Sequence, residues 1–88
     1  MEIIIVTQPA CAFCDQAREI LERLSNRYGF TVRTVDLATP EGQDLGERGA
    51  MMFPPGILID GQLFSYGRLS ERRLRRELEK RPQREARR

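Results

Sequence analysis

Cys11-Ala12-Phe13-Cys14 contains both cysteines of the chain, two residues apart. Thiols at this spacing can close into a disulfide and reopen. A helix that starts here would give them a reason to react, because its N-terminus offers free N–H groups and the positive end of the peptide dipole, and both favour a thiolate. Cys11 falls at or just before the first helical residue, where that field is strongest. Cys14 falls one turn in and is more shielded. The roles that follow are Cys11 as nucleophile and Cys14 as resolving thiol. Cys11 attacks a substrate disulfide to form a mixed disulfide; Cys14 then displaces the reduced product and leaves Cys11–Cys14 oxidised. The chain has no histidine, so imidazole cannot activate the thiol. The dipole, backbone donors and Arg68 are what remain.

Other uses of a cysteine pair compete with this one. A zinc site wants four ligands, and one CxxC without histidine falls short, so no metal ligands are assigned. A metal or iron–sulfur cluster shared between two subunits is an alternative, which would make the chain a binding module. Two inert buried thiols are disfavoured because the apolar helix residues follow the pair instead of enclosing it. A structural disulfide is disfavoured in a reducing compartment.

The elements that must position the pair are readable around it. Residues 2–7 hold four consecutive apolar β-branched side chains and predict a buried strand. Gln8-Pro9-Ala10 is a short loop. Residues 12–28 predict a helix, with Phe13, Ala17, Ile20, Leu21, Leu24 and Tyr28 at helical spacing, a Glu19–Arg23 pair, and Gly29 as its stop. Phe30 to Leu37 predicts a second strand with Val32 and Val35 in the core. Thr39 and Pro40 suit the cap and first position of a short helix. Residues 56–59 and 62–66 predict two strands joined at Asp60-Gly61. Ser70 suits the N-cap of a last helix, with Leu69 stapled to Leu74, Leu74 and Leu78 on one face, and Pro82 as its end. Residues 1–82 form one domain and 83–88 a charged, disordered tail.

The order β-α-β-α-β-β-α makes a right-handed parallel unit followed by a hairpin. The expected architecture is α/β and thioredoxin-like, a four-stranded mixed sheet with helices on both faces. Pro54-Pro55 precedes the third strand. In that architecture the Pro54–Pro55 bond is expected to be cis and to lie beside the CxxC turn, against the general preference for trans.

These residues together resemble the glutaredoxin branch of the thioredoxin superfamily. The resemblance rests on Cys11-Ala12-Phe13-Cys14 after the first strand, Pro55-Gly56-Ile57-Leu58-Ile59-Asp60-Gly61, and Gly67 ahead of the last helix, and it covers residues 2–81. It implies a small enzyme that reduces protein or low-molecular-weight disulfides, with no bound cofactor. Electrons would come from glutathione or from a thioredoxin-reductase-type donor. It also implies a substrate-binding rim of Gln8, Phe13, Pro54, Pro55, Gly67, Arg68 and Ser70. Several positions depart from the family's pattern. Ala12 and Phe13 stand where proline and tyrosine are common between the cysteines. Gln8 replaces a basic residue, and Tyr66-Gly67 replaces a double glycine. The residue before the cis-proline commonly pairs its N–H and C=O with the substrate main chain. Pro54 has no N–H, so one such bond is lost, worth about 0.5–1.5 kcal/mol. Arg68 could still meet a carboxylate, and Ser70 with the last helix's N-terminus an anion.

Charge is unevenly placed. Residues 1–69 carry a net −3 and residues 70–88 a net +5. Arg72, Arg73, Arg75, Arg76, Lys80 and Arg81 surround the Leu74/Leu78 face. A solvated face with ion pairs to Glu77 and Glu79 is the plainer reading; a redox-inert adaptor docking through these arginines is the sharper alternative. No aromatic residue interleaves with the cluster, which argues against nucleic acid. The opening apolar run is too short for a signal-peptide core or a membrane span. The expectation is a cytoplasmic monomer with no membrane partner.

Overall fold

The computed structural model describes residues 1–49 and 51–81. Seven elements follow one another: β1 (Glu2–Thr7), α1 (Ala12–Tyr28), β2 (Thr31–Asp36), α2 (Pro40–Arg48), β3 (Gly56–Ile59), β4 (Gln62–Tyr66) and α3 (Glu71–Lys80). The strands form one sheet in the order β2-β1-β3-β4. β1 is parallel to β2 and antiparallel to β3, and β4 returns antiparallel on β3. This is the thioredoxin-like fold expected from the order of elements. The anticipated helix end at Pro82 and the tail 83–88 lie outside the described residues.

Unbroken apolar sequence in β1 has a direct cause. Ile3 and Ile5 pack with Ala17, Leu21 and Leu24 of α1 and with Leu74 and Leu78 of α3. Ile4 and Val6 face the other way, towards Leu45 of α2 and Leu58. A central strand covered on both faces has no use for polar alternation.

Local chemistry sets the boundaries. Gly29 ends α1 at φ 75°, its N–H donating to the Ser25 carbonyl at 2.8 Å. Thr39 Oγ1 accepts from the Gly42 N–H at 3.0 Å at the head of α2, with Pro40 in the first turn. Ser70 Oγ accepts from the Arg73 N–H at 3.2 Å at the head of α3. Asp60 and Gly61 close the β3–β4 hairpin, both at positive φ, 49° and 86°, as a primed two-residue turn requires.

Three expectations are corrected. Val32 is 38% exposed while Val35 is buried. Val32 pairs across from Ile3, but β2 is an edge strand, and the buried stripe of α1 clusters with side chains of β1 and β3. A depression of about 560 Å³ therefore opens between Val32 and Thr34 and the α1 side chains Asp15, Arg18, Glu19 and Glu22. Phe13 stands outside the α1 core stripe at 49% exposure, and the buried stripe begins instead with Cys14 and Ala17. Arg23 directs its fork across to Glu71 of α3, two bonds of 3.0 Å, so Glu19 contributes only a lesser field. The bidentate fit of a guanidinium on a carboxylate outweighs a single pairing along the helix.

Candidate active site

The site is built where β1 hands over to α1. Ala10 sits at φ 54°, a left-handed conformation that costs a non-glycine residue about 1–2 kcal/mol. It turns the chain so that Cys11 becomes the N-cap, with φ −120° and ψ 101°. The Cys14 N–H then donates to Cys11 Sγ at 3.1 Å, and the Asp15 N–H to the Cys11 carbonyl at 3.1 Å. The sulfur thus occupies the place of a serine or threonine oxygen at a helix cap. A backbone donor aimed at sulfur from a helix N-terminus stabilises its anionic form. Cys11 and Cys14 are joined by a disulfide with Cα atoms 5.2 Å apart. Cys14 is 1% exposed, whereas Cys11 is partly open.

The proline pair reaches the same end of the sheet through strand register. Val6 stands opposite Gly56, and Gly56 opposite Tyr66. One residue further out, Pro55 comes level with Thr7 and Gly67, and the Gly67 N–H donates to the Pro55 carbonyl at 2.8 Å. The Pro54–Pro55 bond is cis, as expected. Pro55 is fully buried and Pro54 half-buried. A Cβ on Gly56 would displace the Met51 thioether, which lies over it.

The remaining expected rim residues divide. Gly67 is buried at φ 79°, and a Cβ there would come within 2.7 Å of the Phe53 ring. Gln8, Phe13 and Arg68 are exposed. Ser70 is half-buried, and its oxygen already accepts the α3 cap bond. Register and hydrogen bonding bring Pro55 and Gly67 together beside the β1–α1 turn. For Gln8, Arg68 and Ser70 the structure gives position in the fold without a contact to the cysteines. Phe53, Tyr66 and Met52 were not read as rim residues in the sequence. Phe53 is 56% exposed and meets Tyr66 edge-to-face, centroids 5.3 Å apart. With Met52 they add exposed apolar surface around Pro54-Pro55. The signal was present as Met51-Met52-Phe53 in an otherwise polar connection. Among the described residues, no group of three or more His, Cys, Asp or Glu side chains gathers as metal ligands. No helix among them is long and apolar enough to cross a membrane.

Known proteins are similar to this chain in sequence and in fold. A family model described as Glutaredoxin-like domain matches residues 2–79. An uncharacterized protein of Mycobacterium tuberculosis is 32% identical over 84 residues, spanning 88% of this chain and 81% of that protein. Oxidized Escherichia coli glutaredoxin superposes with a TM-score of 0.62 at 28% identity, over 75% of this chain and 84% of glutaredoxin. Thioredoxin O2 from Arabidopsis thaliana, also oxidized, gives a TM-score of 0.68 at 19% identity, over 90% of this chain and 72% of its own; that likeness is one of fold. The family match runs from the first residue of β1 to the last turn of α3, through both cysteines and the Pro54-Pro55 pair, and this chain belongs to the glutaredoxin-like domain family.

Proposed function

We propose that this protein is a thiol–disulfide oxidoreductase that reduces protein or small-molecule disulfides. The observation that carries this reading is the unequal burial of a bonded pair: Cys14 closed off, Cys11 partly open at a helix cap. In the reduced protein, the Cys11 thiolate attacks one sulfur of the substrate disulfide. That bond breaks, one substrate thiolate leaves, and a mixed disulfide holds the other half. Cys14 loses its proton to solvent and attacks Cys11 Sγ, expelling the second substrate thiolate. Two electrons have passed to the substrate, both of its thiolates take up protons, and the Cys11–Cys14 disulfide remains. Two glutathiones, which leave as glutathione disulfide, or the dithiol of a thioredoxin-reductase-type protein, reduce it again. Pro54, Pro55, Gly67 and Phe13 form the wall against which the substrate chain lies, with Gln8, Arg68 and Ser70 at its rim. The protein works as a cytoplasmic monomer.

Reduction of a small disulfide by wild type, Cys11→Ser and Cys14→Ser tests the assignment. Cys11→Ser is expected at background. Cys14→Ser is expected to accumulate mixed disulfide, read by intact mass. Equal rates in all three proteins would sink the proposal. Running the wild type with glutathione and its reductase, then with thioredoxin reductase, names the donor.

A further inference from the structure

Pairing divides the arginines of α3 into two groups. Lys80 and Arg81 meet Glu77 at 3.6 and 3.0 Å, and Arg73 lies over the Phe64 ring at 5.4 Å. Arg72, Arg75 and Arg76 are exposed, and among the described residues no hydrogen bond or ion pair holds any of them. Together with Glu79 they line a depression of about 270 Å³ on the side of α3 away from buried Leu74 and Leu78. Of the carboxylates nearby, Glu79 keeps its charge in the depression and Glu71 also feels the charge of Arg75, but each has its hydrogen-bond partner on α1. Glu79 accepts from the Tyr28 hydroxyl at 2.6 Å, and both oxygens of Glu71 are taken by Arg23.

Guanidiniums within two turns of one helix repel one another, and external carboxylates relieve that repulsion through forked hydrogen bonds. Arg68 extends the group towards the redox site. It follows Gly67, which is bonded to the Pro55 carbonyl, and α3 then advances about 1.5 Å per residue from there. The α1 side has the opposite sign: Asp15, Glu19 and Glu22 line its groove, and the Arg18 guanidinium there is tied to Asp15. An acidic partner is drawn to α3 and turned away from α1. Nucleic acid fits less well, because no aromatic side chain lines the depression for bases to stack on.

We propose that the exposed guanidiniums of Arg72, Arg75 and Arg76 dock an acidic polypeptide segment flanking the disulfide that Cys11 reduces. This names a substrate class for the thiol–disulfide reading and rests on it. Two fluorescence-quenched disulfide peptides with one common core test it, one flanked by glutamates and the other by lysines. Excess pre-reduced protein reduces each in a single turnover, so no external donor takes part. At low salt the acidic peptide is expected to react about tenfold faster, with the ratio approaching one at about 1 M salt. The combined change Arg72→Gln, Arg75→Gln and Arg76→Gln is expected to erase the preference while leaving the rate on an uncharged disulfide unchanged. Far-UV circular dichroism checks that α3 survives; if it does not, Arg76→Gln alone is expected to reduce the ratio by a smaller factor.

The same peptides with serine for cysteine, titrated onto oxidised protein, read docking with no redox step. If the uncharged disulfide goes unreduced while these peptides still discriminate, the redox reading fails and the docking surface stands. Equal rates and equal binding for both peptides overturn the proposal, as does a preference that survives the triple substitution. Tighter binding of a mixed-sequence RNA oligonucleotide than of the acidic peptide also overturns it, and reassigns the surface.

Discussion

Cys14 is shut in and Cys11 is not, so one thiol can meet a substrate and the other can only meet its neighbour. That asymmetry was legible from spacing alone, because a residue at a helix N-cap and a residue three further on differ in field and shielding by geometry. Pro54 carries the prediction at this scale. It precedes Pro55 beside the β1–α1 turn, and in the proposed substrate wall it has no N–H to give a substrate's main chain. Pro54→Val supplies that donor. If glutathione docks along this wall, the change is expected to speed reduction of a glutathionylated peptide about 2- to 13-fold, the equivalent of about 0.5–1.5 kcal/mol. A rate unchanged or lowered, in a variant whose circular dichroism matches wild type, means glutathione does not use this wall. Other residues were not legible. Ala10 adopts a left-handed φ, and alanine gives no sign of it because its type favours the right-handed regions. Phe13 fell on the helical repeat, and periodicity cannot tell the first turn's core face from the exposed rim of a site.

Elements were more legible than residues wherever a cap or turn has a chemical signature. Gly29, Thr39-Pro40, Asp60-Gly61 and Ser70 each do what their types imply. What could not be read was how closely α2 approaches the strand before it. Gly42 sets that distance. A Cβ there would collide with the Asp36 carbonyl oxygen and the Leu37 Cα, backbone atoms that cannot rotate aside. Gly42→Ala is therefore expected to push α2 off the end of β2 and lose about 1–3 kcal/mol. Gly46, one turn later, is the internal comparison. A Cβ there meets only the side chains of Leu37 at 3.5 Å and Met51 at 3.7 Å, ordinary contact. Gly46→Ala is expected to gain up to about 1 kcal/mol from helix propensity. Urea denaturation separates the two: midpoints should move in opposite directions. Two midpoints falling by the same amount would mean that α2 tolerates no added carbon anywhere, and that close approach at Gly42 is not special.

At the scale of the whole molecule, the architecture followed from the order of elements, because a parallel unit and then a hairpin allow few arrangements. The order says less about how helices that share a face are fastened, since such contacts join residues distant in sequence. α1 and α3 share the core built on Ile3, Ile5, Ile57 and Ile59, and polar clasps span them at Arg23–Glu71 and Tyr28–Glu79. Hydrogen bonding and charge from Arg23 hold the Glu71 carboxyl below its ordinary value of 4.5 and raise the Arg23 guanidinium. The folded state therefore binds the Glu71 proton less readily than the unfolded chain does. This contribution to stability is fully present above about pH 4.5 and is lost as pH falls through the lower, folded-state value. Glu41 is also held low, by Arg33, and would titrate in the same window. Arg23→Gln separates the two, because it removes the Glu71 effect and leaves Glu41 as it was. Thermal melts in low salt are expected to show the variant less stable than wild type at about pH 6, with a smaller gap at about pH 3. Adding about 1 M salt at the higher pH should narrow it as well, since the Arg23 side chain is 60% exposed and that of Glu71 33%. A gap of equal size at both pH values and both salt levels would assign the loss to the arginine's apolar stem packing along α1, and the clasp would then contribute nothing through its charge.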